Sequence, residues 1–210
     1  MAKELKLGAE ARITLQDNVV IKERIKKSYR LPQIDSALRK ERTSAEASLL
    51  QKAARAQANV PKVLEIDRKN STIEMEFIDG TLIDKIIDEK LAKELGKEIA
   101  LLHGSSIIHG DLTTSNIIVK QDVPQTANRK PQTRVYFIDF GLGEVSDSVE
   151  KKAVDLHVLK EAINANHPDK AETLFKLILD SYKKHSQKSK EVLERLANVE
   201  KRGRYKNREL

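Results

Sequence analysis

Alternating hydrophobic and polar positions in the first part of the chain predict strands on either side of one helix. The stretches LKLGAEARITL and NVVIKERI, within residues 5–25, flank the turn pair Asp17-Asn18 and predict a β-hairpin. We expect Pro32 to keep the polar stretch that follows out of a regular helix. Helical spacing begins at about residue 35 and continues over residues 35–58. Because VPKVLEIDRKNSTIEMEFIDG then offers two strands around a short turn, the predicted order is β-β-α-β-β, an antiparallel sheet carrying one helix.

The rest of the chain is predicted to be mainly helical. LAKELGKEIALLHG, residues 91–104, places leucine and isoleucine on one face, and Gly104 is its expected C-cap. RVYFIDFGLG adds a strand at 135–138, and residues 120–133 lack an apolar period and are expected to form an exposed loop. AVDLHVLKEAI, KAETLFKLILDSYKKH and SKEVLERLANVE predict three further helices. On the first of these three helices, the expected apolar face consists of Val154, Val158, Leu159 and Ala162.

Composition narrows the class of protein. The 210 residues suffice for one domain or two small lobes, and 39% hydrophobic with 34% charged residues is typical of a globular chain. No run of eighteen apolar residues and no apolar leader segment are present, so we expect a cytoplasmic protein. The absence of cysteine excludes disulfides, thiolate metal sites and a cysteine nucleophile. A net charge of +7 favours a polyanionic partner, although charge alone is weak support.

Two charged residues of the first part occupy positions that predict burial. Lys22 lies inside the apolar strand VVIKERI, and Glu46 falls at helical spacing from Leu49 and Leu50 on the expected buried stripe. Glu41 points away from that stripe and is expected to be solvated. Because an unpaired buried charge is costly, we expect Lys22 and Glu46 to pair. The alternative is that both are solvated charges at a strand edge and a helix flank.

Five more polar residues occur in apolar surroundings. The segment IIHGDLTTSNIIV contains His109, Asp111 and Asn116, a further strand ends at Asp139, and Asp155 falls within the helix AVDLHVLKEAI. A carboxylate and an amide at this spacing suit a hard oxygen-ligated cation such as magnesium. Turn capping is the other interpretation of Asp111, Asn116 and Asp139.

Taken together, these residues resemble the catalytic and metal-binding segments of the protein-kinase-like fold. The matching features are HGD with Asn116 five residues after the aspartate, then Asp139-Phe140-Gly141, preceded by Lys22 in VVIK and by Glu46. The resemblance implies an α+β class and a minimal two-lobed kinase-like fold. Its N-lobe would be an antiparallel sheet with one helix over residues 1–78, and its mostly helical, reduced C-lobe would cover residues 79–210 and end in a basic tail.

The resemblance also implies a role for each site residue. Lys22 would hold the α- and β-phosphates of ATP and be oriented by Glu46, and Asp111 would orient or deprotonate the attacking group. Asp155 would receive backbone N–H groups of the catalytic loop. The implied set is catalytic Asp111 and Lys22; nucleotide-binding Gly8, Ala9, Glu10, Ala11, Lys22, Glu46, Glu76 and Ile78; and magnesium-binding Asn116 and Asp139.

The chain also departs from ordinary protein kinases. The first hairpin has only Gly8 where those kinases carry a glycine-rich loop, and Gly110 stands where many have arginine. No A-P-E segment follows Gly141, and the 71 residues after Asp139 are too few for the usual peptide-binding half. We therefore expect looser phosphate clamping in the first hairpin, no control by a phosphorylated activation loop, and poor peptide phosphorylation without a partner.

The combination closely resembles the small atypical kinase/ATPase subunit of the KEOPS complex. It is carried by GAEA, VIKERIKKSYR, RTSAEASLL, EFIDG, IIHGDLTTSNIIV, FIDFGLG, VDLHVLKEA and KRGRYK. This resemblance implies an ATP- and magnesium-dependent ATPase or serine/threonine kinase bound to the threonylcarbamoyl-transferase subunit and other KEOPS subunits, supporting threonylcarbamoyladenosine formation in tRNA. Alternatives are a RIO-like kinase, a small-molecule phosphotransferase of the aminoglycoside or choline kinase type, and a non-catalytic pseudokinase scaffold.

Two basic stretches offer contacts to tRNA phosphates or to a partner subunit. One lies in the N-lobe at residues 26–30, and the other is the C-terminal tail, where the candidates are Lys201, Arg202, Arg204, Tyr205 and Lys206. A solvated basic tail is the alternative interpretation.

Overall fold

A five-stranded antiparallel sheet and one long helix form the first part of the chain in the computed structural model, which describes residues 3–122 and 132–206. The strand order is β1-β2-β3-β5-β4. The elements are β1 Lys3–Leu7, β2 Ala11–Gln16, β3 Val19–Arg24, α1 Pro32–Arg55, β4 Val63–Asp67 and β5 Thr72–Glu76. The predicted sheet with one helix packed on it is confirmed.

The predicted hairpin at Asp17-Asn18 is confirmed, but the stretch before it is divided. Asp17 and Asn18 have φ angles of 48° and 67°, the left-handed pair that a two-residue hairpin turn requires. The N–H of Gly8 donates to the carbonyl of Ala11 at 3.0 Å, which closes a turn between β1 and β2. The order is therefore β-β-β-α-β-β, and the prediction of four strands was one strand short.

The expectation that Pro32 lies outside a helix was wrong. Helix α1 begins at Pro32. A proline at the first position loses no hydrogen bond, since that N–H has no acceptor within the helix, and its fixed φ angle already suits the helix.

Among the described residues after β5, the chain forms short strands and four α-helices. The elements are β6 Thr81–Leu82, α2 Glu89–Gly104, β7 Ile107–Ile108, β8 Ile117–Asp122, β9 Gln132–Phe137, β10 Glu144–Val145, α3 Val149–Asn166, α4 Ala171–His185 and α5 Ser189–Lys206. The strands pair as two small sheets, β6-β8-β9 and β7-β10. The boundary expected after residue 78 falls between β5 and β6 and stays a prediction.

Three details differ from the sequence-based expectations for this part. Gly104 is the last residue of α2 rather than its cap, and the left-handed turn falls on Ser106, with a φ angle of 57°. Strand β9 begins at Gln132, and its pairing with Asp122 at the end of β8 makes the ends of the expected 120–133 loop part of a hairpin. Residues 123–131 of that loop lie outside the described part of the chain.

The main hydrophobic core lies among the helices and extends into the sheet-bearing part through α1. Helix α2 packs closely on α4 at Gly96, where a Cβ atom would lie 2.2 Å from the carbonyl oxygen of Ile178. On α3 the buried apolar side chains are Ala153, Leu156, Leu159 and Ile163. The expected face was wrong at Val154, which is 40% exposed. The described residues, 3–122 and 132–206, contain no helix with the length and apolar content to cross a membrane.

Candidate active site

Lys22 joins three elements at the centre of the site. On strand β3 its side chain is buried, and its Nζ lies 2.6 Å from Oε1 of Glu46 on α1 and 2.7 Å from Oδ1 of Asp139 after β9. Glu46 is 2% exposed, whereas Glu41 is exposed, as the helical spacing predicted. The predicted Lys22–Glu46 pair is confirmed, and the alternative of two solvated charges is excluded.

A second cation, which the sequence analysis missed, shares Glu46. Arg24 lies two residues after Lys22 on β3, and its Nη2 contacts Oε2 of Glu46 at 2.6 Å and the carbonyl of Arg42 at 3.4 Å. Each carboxylate oxygen of Glu46 thus faces one cation. The signal was available, since residues two apart on a strand point to the same face.

Hydrogen bonds to the carboxylate of Asp155 fix the loop before Asp111. The backbone N–H groups of His109 and Gly110 donate to Asp155 at 2.7 and 2.9 Å. Gly110 has a φ angle of 81°, and a Cβ atom there would lie 2.1 Å from the carbonyl oxygen of Leu142. This contact explains why glycine occupies the position that holds arginine in many kinases. Asp155 therefore accepts backbone N–H groups of this loop, as the sequence analysis expected.

Two buried side chains extend this support into helix α4. Nε2 of His103 lies 3.3 Å from Asp155, and Nδ1 of the same ring lies 3.0 Å from the hydroxyl of Tyr182. Burial raises the pKa of Tyr182 to about 12, so its hydroxyl stays protonated. The arrangement suits a His103 ring whose Nε2–H donates to Asp155 and whose Nδ1 accepts from Tyr182. The sequence analysis did not identify His103 or Tyr182.

The proposed magnesium ligands are oriented by hydrogen bonds that leave oxygen atoms for a cation. Nδ2 of Asn116 donates to the backbone carbonyl of Asp111 at 2.9 Å and to its carboxylate at 3.0 Å, so Oδ1 of the amide remains an acceptor. At Asp139, Lys22 and the N–H of Gly141 both donate to Oδ1, which leaves Oδ2. Among the described residues no cluster of three histidine, cysteine, aspartate or glutamate side chains is placed to hold a metal. Magnesium still fits, because it binds through one or two protein oxygens together with substrate phosphates.

The charge states of the site follow from burial and from these partners. Burial opposes ionisation of Asp139, but Lys22 and the N–H of Gly141 outweigh it and lower the pKa of that carboxyl. Burial lowers the pKa of His109, so its ring is neutral. Nε2 of His109 then donates to the carbonyl of Ile138 at 3.1 Å, which ties the loop before Asp111 to the end of β9.

A cavity of about 450 Å³ opens in front of these groups. Its lining includes Lys6, Gly8, Ala9, Glu10, Ala11, Lys22, Arg24, Arg42, Asp111 and Asp139. The structure therefore brings the predicted hairpin residues, the lysine and two of the predicted carboxylates to one space. Glu46 and Asn116 contact residues of the lining, whereas Glu76 and Ile78, at and just after the end of β5, line no part of this cavity.

The basic C-terminal tail is helical as far as it is described. Helix α5 runs to Lys206, and Nη1 of Arg202 lies 3.3 Å from Glu150 of α3. Lys201 is exposed. The side chains of Arg204, Tyr205 and Lys206 lie outside the described residues.

Comparison with known proteins places this geometry in a family. Residues 35–161 match the RIO domain. The KEOPS complex subunit Bud32 of Pyrococcus abyssi is 40% identical over 225 residues, covering 98% of this chain and 97% of that protein. The chain belongs to the Bud32 family. The family membership that the sequence motifs indicated is thereby confirmed.

Two further relatives and one solved structure extend the comparison. A probable serine/threonine-protein kinase BUD32 homolog of Archaeoglobus fulgidus is 37% identical, covering 96% of each chain. A probable bifunctional tRNA threonylcarbamoyladenosine biosynthesis protein of Methanobrevibacter smithii is 39% identical over 94% of this chain, but the match spans only 36% of its own length. The Rio2 kinase of Chaetomium thermophilum, solved with ADP, Mg²⁺ and phosphoaspartate, matches with a TM-score of 0.58 and 18% identity, covering 95% of this chain and 70% of that one. The kinase-like α+β fold is confirmed.

Proposed function

We propose that the chain is a magnesium-dependent ATPase and serine/threonine protein kinase of the KEOPS complex, and that it supports threonylcarbamoyladenosine formation in tRNA. The observation that carries this proposal is Lys22, which bridges Glu46 and Asp139 at 2.6 and 2.7 Å beside a cavity that Asp111 also lines. Phosphoryl transfer needs positioned cations and carboxylates more than covalent chemistry, and this cavity supplies both.

Each residue of the set has a proposed part in the reaction. Lys22, held by Glu46, binds the α- and β-phosphates, and Asp139 with Asn116 holds magnesium through the oxygens that their hydrogen bonds leave open. Magnesium, when bound, neutralises charge that develops on the phosphates. Asp111, whose carboxylate accepts from the amide of Asn116, orients the attacking hydroxyl or water.

The remaining nucleotide contacts are proposed from the hairpin and from the end of β5. Backbone groups of the turn from Gly8 to Ala11, which lines the cavity, bind the phosphates. Backbone groups of Glu76 and Ile78 bind adenine; Ile78 is buried and Glu76 is partly exposed. In this proposal residues 1–78 form the N-lobe and residues 79–210 form the reduced C-lobe, with ATP between them.

A threonylcarbamoyl-transferase subunit is the proposed partner. The bifunctional relative of M. smithii extends well beyond the segment that matches this chain, which supports a partner function that is joined covalently there and supplied by another chain here. We further propose that Lys201 and Arg202, with Arg204 and Lys206, contact tRNA phosphates or that partner. Such contacts weaken steeply with added salt.

The test is ATP hydrolysis by the purified chain, with and without the transferase subunit, in wild type and in Asp139→Asn. Because Asp139 is a proposed magnesium ligand, we expect its loss to lower hydrolysis by about a hundredfold or more while circular dichroism stays native. Asp169→Asn, which removes an exposed carboxylate on the α3–α4 connection, is the control and should match wild type. Undiminished hydrolysis in Asp139→Asn would refute the site. Rapid phosphorylation of generic peptides by the isolated chain would refute dependence on a partner.

A further inference from the structure

An ion pair crosses the candidate cavity and has no part in the reaction proposed above. Nη1 of Arg42, on helix α1, lies 2.9 Å from Oε2 of Glu10, in the turn between β1 and β2. Both residues line the cavity that Lys22 and Asp139 also line. The pair therefore links the proposed phosphate-binding turn to the helix that carries Glu46.

The position of Arg42 places it near the phosphoryl-transfer end of the cavity. It precedes Glu46 by four residues, one helical turn, and so lies on the same face of α1. It also lines a smaller recess with residues 140–143, the segment that follows Asp139. Because Asp139 and Asp111 are the proposed transfer residues, Arg42 lies on their side of the cavity rather than beside β5, where adenine is proposed.

Arg42 differs from the other arginine of the cavity in how firmly it is held. Arg24 is buried and pairs with Glu46, whose side chain is 1% exposed. The guanidinium of Arg24 is therefore held by a buried partner. The side chains of Arg42 and Glu10 are 40% and 54% exposed. An ion pair this open to water contributes little stability and can be exchanged for another anion at small cost.

Glu10 is an unfavourable neighbour for a phosphate unless its charge is matched. Its backbone is fixed, since its carbonyl accepts from the N–H of Ile25 at 3.1 Å and the turn closes through Gly8 and Ala11. The carboxylate is therefore carried by a fixed main chain at the edge of the cavity. A guanidinium that leaves Glu10 for a phosphate gains a bidentate, charge-assisted contact.

We propose that Arg42 binds the terminal phosphate of a nucleoside triphosphate and returns to Glu10 when a diphosphate replaces it. Arg42 thereby makes the site favour ATP over ADP, and Glu10 holds its guanidinium when the third phosphate is absent. This inference rests on the proposed function, since it requires the cavity to bind nucleotide. It assigns the preference for the third phosphate to one arginine of α1, which pairs with a glutamate in a turn that lacks a glycine-rich sequence.

The experiment measures dissociation constants for Mg-ATP and Mg-ADP by titration calorimetry on the full chain. The variants are Arg42→Ala and Glu10→Gln. Arg42→Ala should weaken ATP binding by about tenfold and leave ADP binding within about twofold, because only the triphosphate reaches Arg42. Glu10→Gln should tighten ATP binding several-fold, because the competing carboxylate is gone, and should change ADP binding less.

Arg12→Ala is the matched control. Arg12 lies on β2, two residues after Glu10; its side chain is 49% exposed and pairs with Glu4 at 3.5 Å outside the cavity lining. It should bind both nucleotides as wild type does. Equal weakening of ATP and ADP binding by Arg42→Ala, or no weakening, would overturn the inference while leaving the proposed function in place. Failure of the wild type to bind either nucleotide would overturn both.

Discussion

Lys22 and Asp139 are 117 positions apart in the sequence, and their side chains meet at 2.7 Å. The contact joins strand β3 of the first sheet to the segment after β9, and Glu46 meets the same ammonium from α1. One lysine thus fixes the relative positions of three elements that line or border the candidate cavity.

Loss of Glu46 should destabilise the fold strongly. Glu46→Ala removes the carboxylate shared by Lys22 and Arg24, and it leaves Arg24 buried with its charge unpaired. Removing one partner of a buried pair costs about 3–5 kcal/mol. We expect the free energy of unfolding, measured by urea denaturation, to fall by that amount.

Glu41→Ala, on the exposed side of the same helix, is the control for that change. It should alter the free energy of unfolding by no more than about 0.5 kcal/mol. Similar midpoints for the two variants would show that Glu46 is not a structural ion-pair partner.

The hydroxyl of Tyr182 should contribute to stability through His103. Tyr182→Phe keeps the ring, which is fully buried, but removes the group 3.0 Å from Nδ1 of His103. A buried acceptor without a donor costs about 1–3 kcal/mol, and chemical denaturation should show a loss in that range.

Asp155→Ala should cost more than Tyr182→Phe, and it should also lower any ATP turnover. That substitution leaves the N–H groups of His109 and Gly110 without their acceptor and frees the loop before Asp111. A smaller loss of stability in Asp155→Ala than in Tyr182→Phe would contradict this order of importance.

Gly110 and Gly104 provide a matched pair of glycines. Gly110→Ala would place a Cβ atom 2.1 Å from the carbonyl of Leu142 at a φ angle of 81°, so we expect a loss of several kcal/mol or failure to fold. At Gly104, the last residue of α2, a Cβ atom would meet nothing within 4 Å. Gly104→Ala should leave the melting temperature unchanged or raise it, with a gain of up to about 1 kcal/mol. Equal effects of the two substitutions in thermal unfolding would contradict the geometry.

The sequence predicted those parts of the fold and site that depend on how buried positions repeat along a single helix or strand. The helical period placed Glu46 inward and Glu41 outward, and the strand position of Lys22 completed the pair. The same reasoning failed at Val154, because helix α3 contacts α4, α5 and strand β7 and its buried face follows those neighbours. Contacts between elements, such as Arg42 with Glu10, depend on how the elements pack together, and the repeat within one helix or strand does not determine that.

Stability in acid should depend on Asp147. Its carboxylate pairs at 2.6 Å with Lys152, which is buried, and also contacts Lys188, just before α5. The hydrogen bonds from Lys152 and Lys188 lower the pKa of Asp147 from 3.8 to about 2. Because the folded-state pKa is the lower one, this contribution to stability is fully present above pH 4 and is lost as the pH falls from about 4 to 2.

Asp147→Asn should remove that part of the pH dependence. The variant should be less stable than wild type at pH 7, since the buried Lys152 loses its carboxylate partner, and the difference should shrink as the pH falls below 4. Urea unfolding at pH 7, 4 and 2.5 measures it. Asp169→Asn, at an exposed position on the α3–α4 connection, should follow the wild-type curve. A constant difference between Asp147→Asn and wild type across these pH values would mean that the two lysines do not lower the pKa of Asp147.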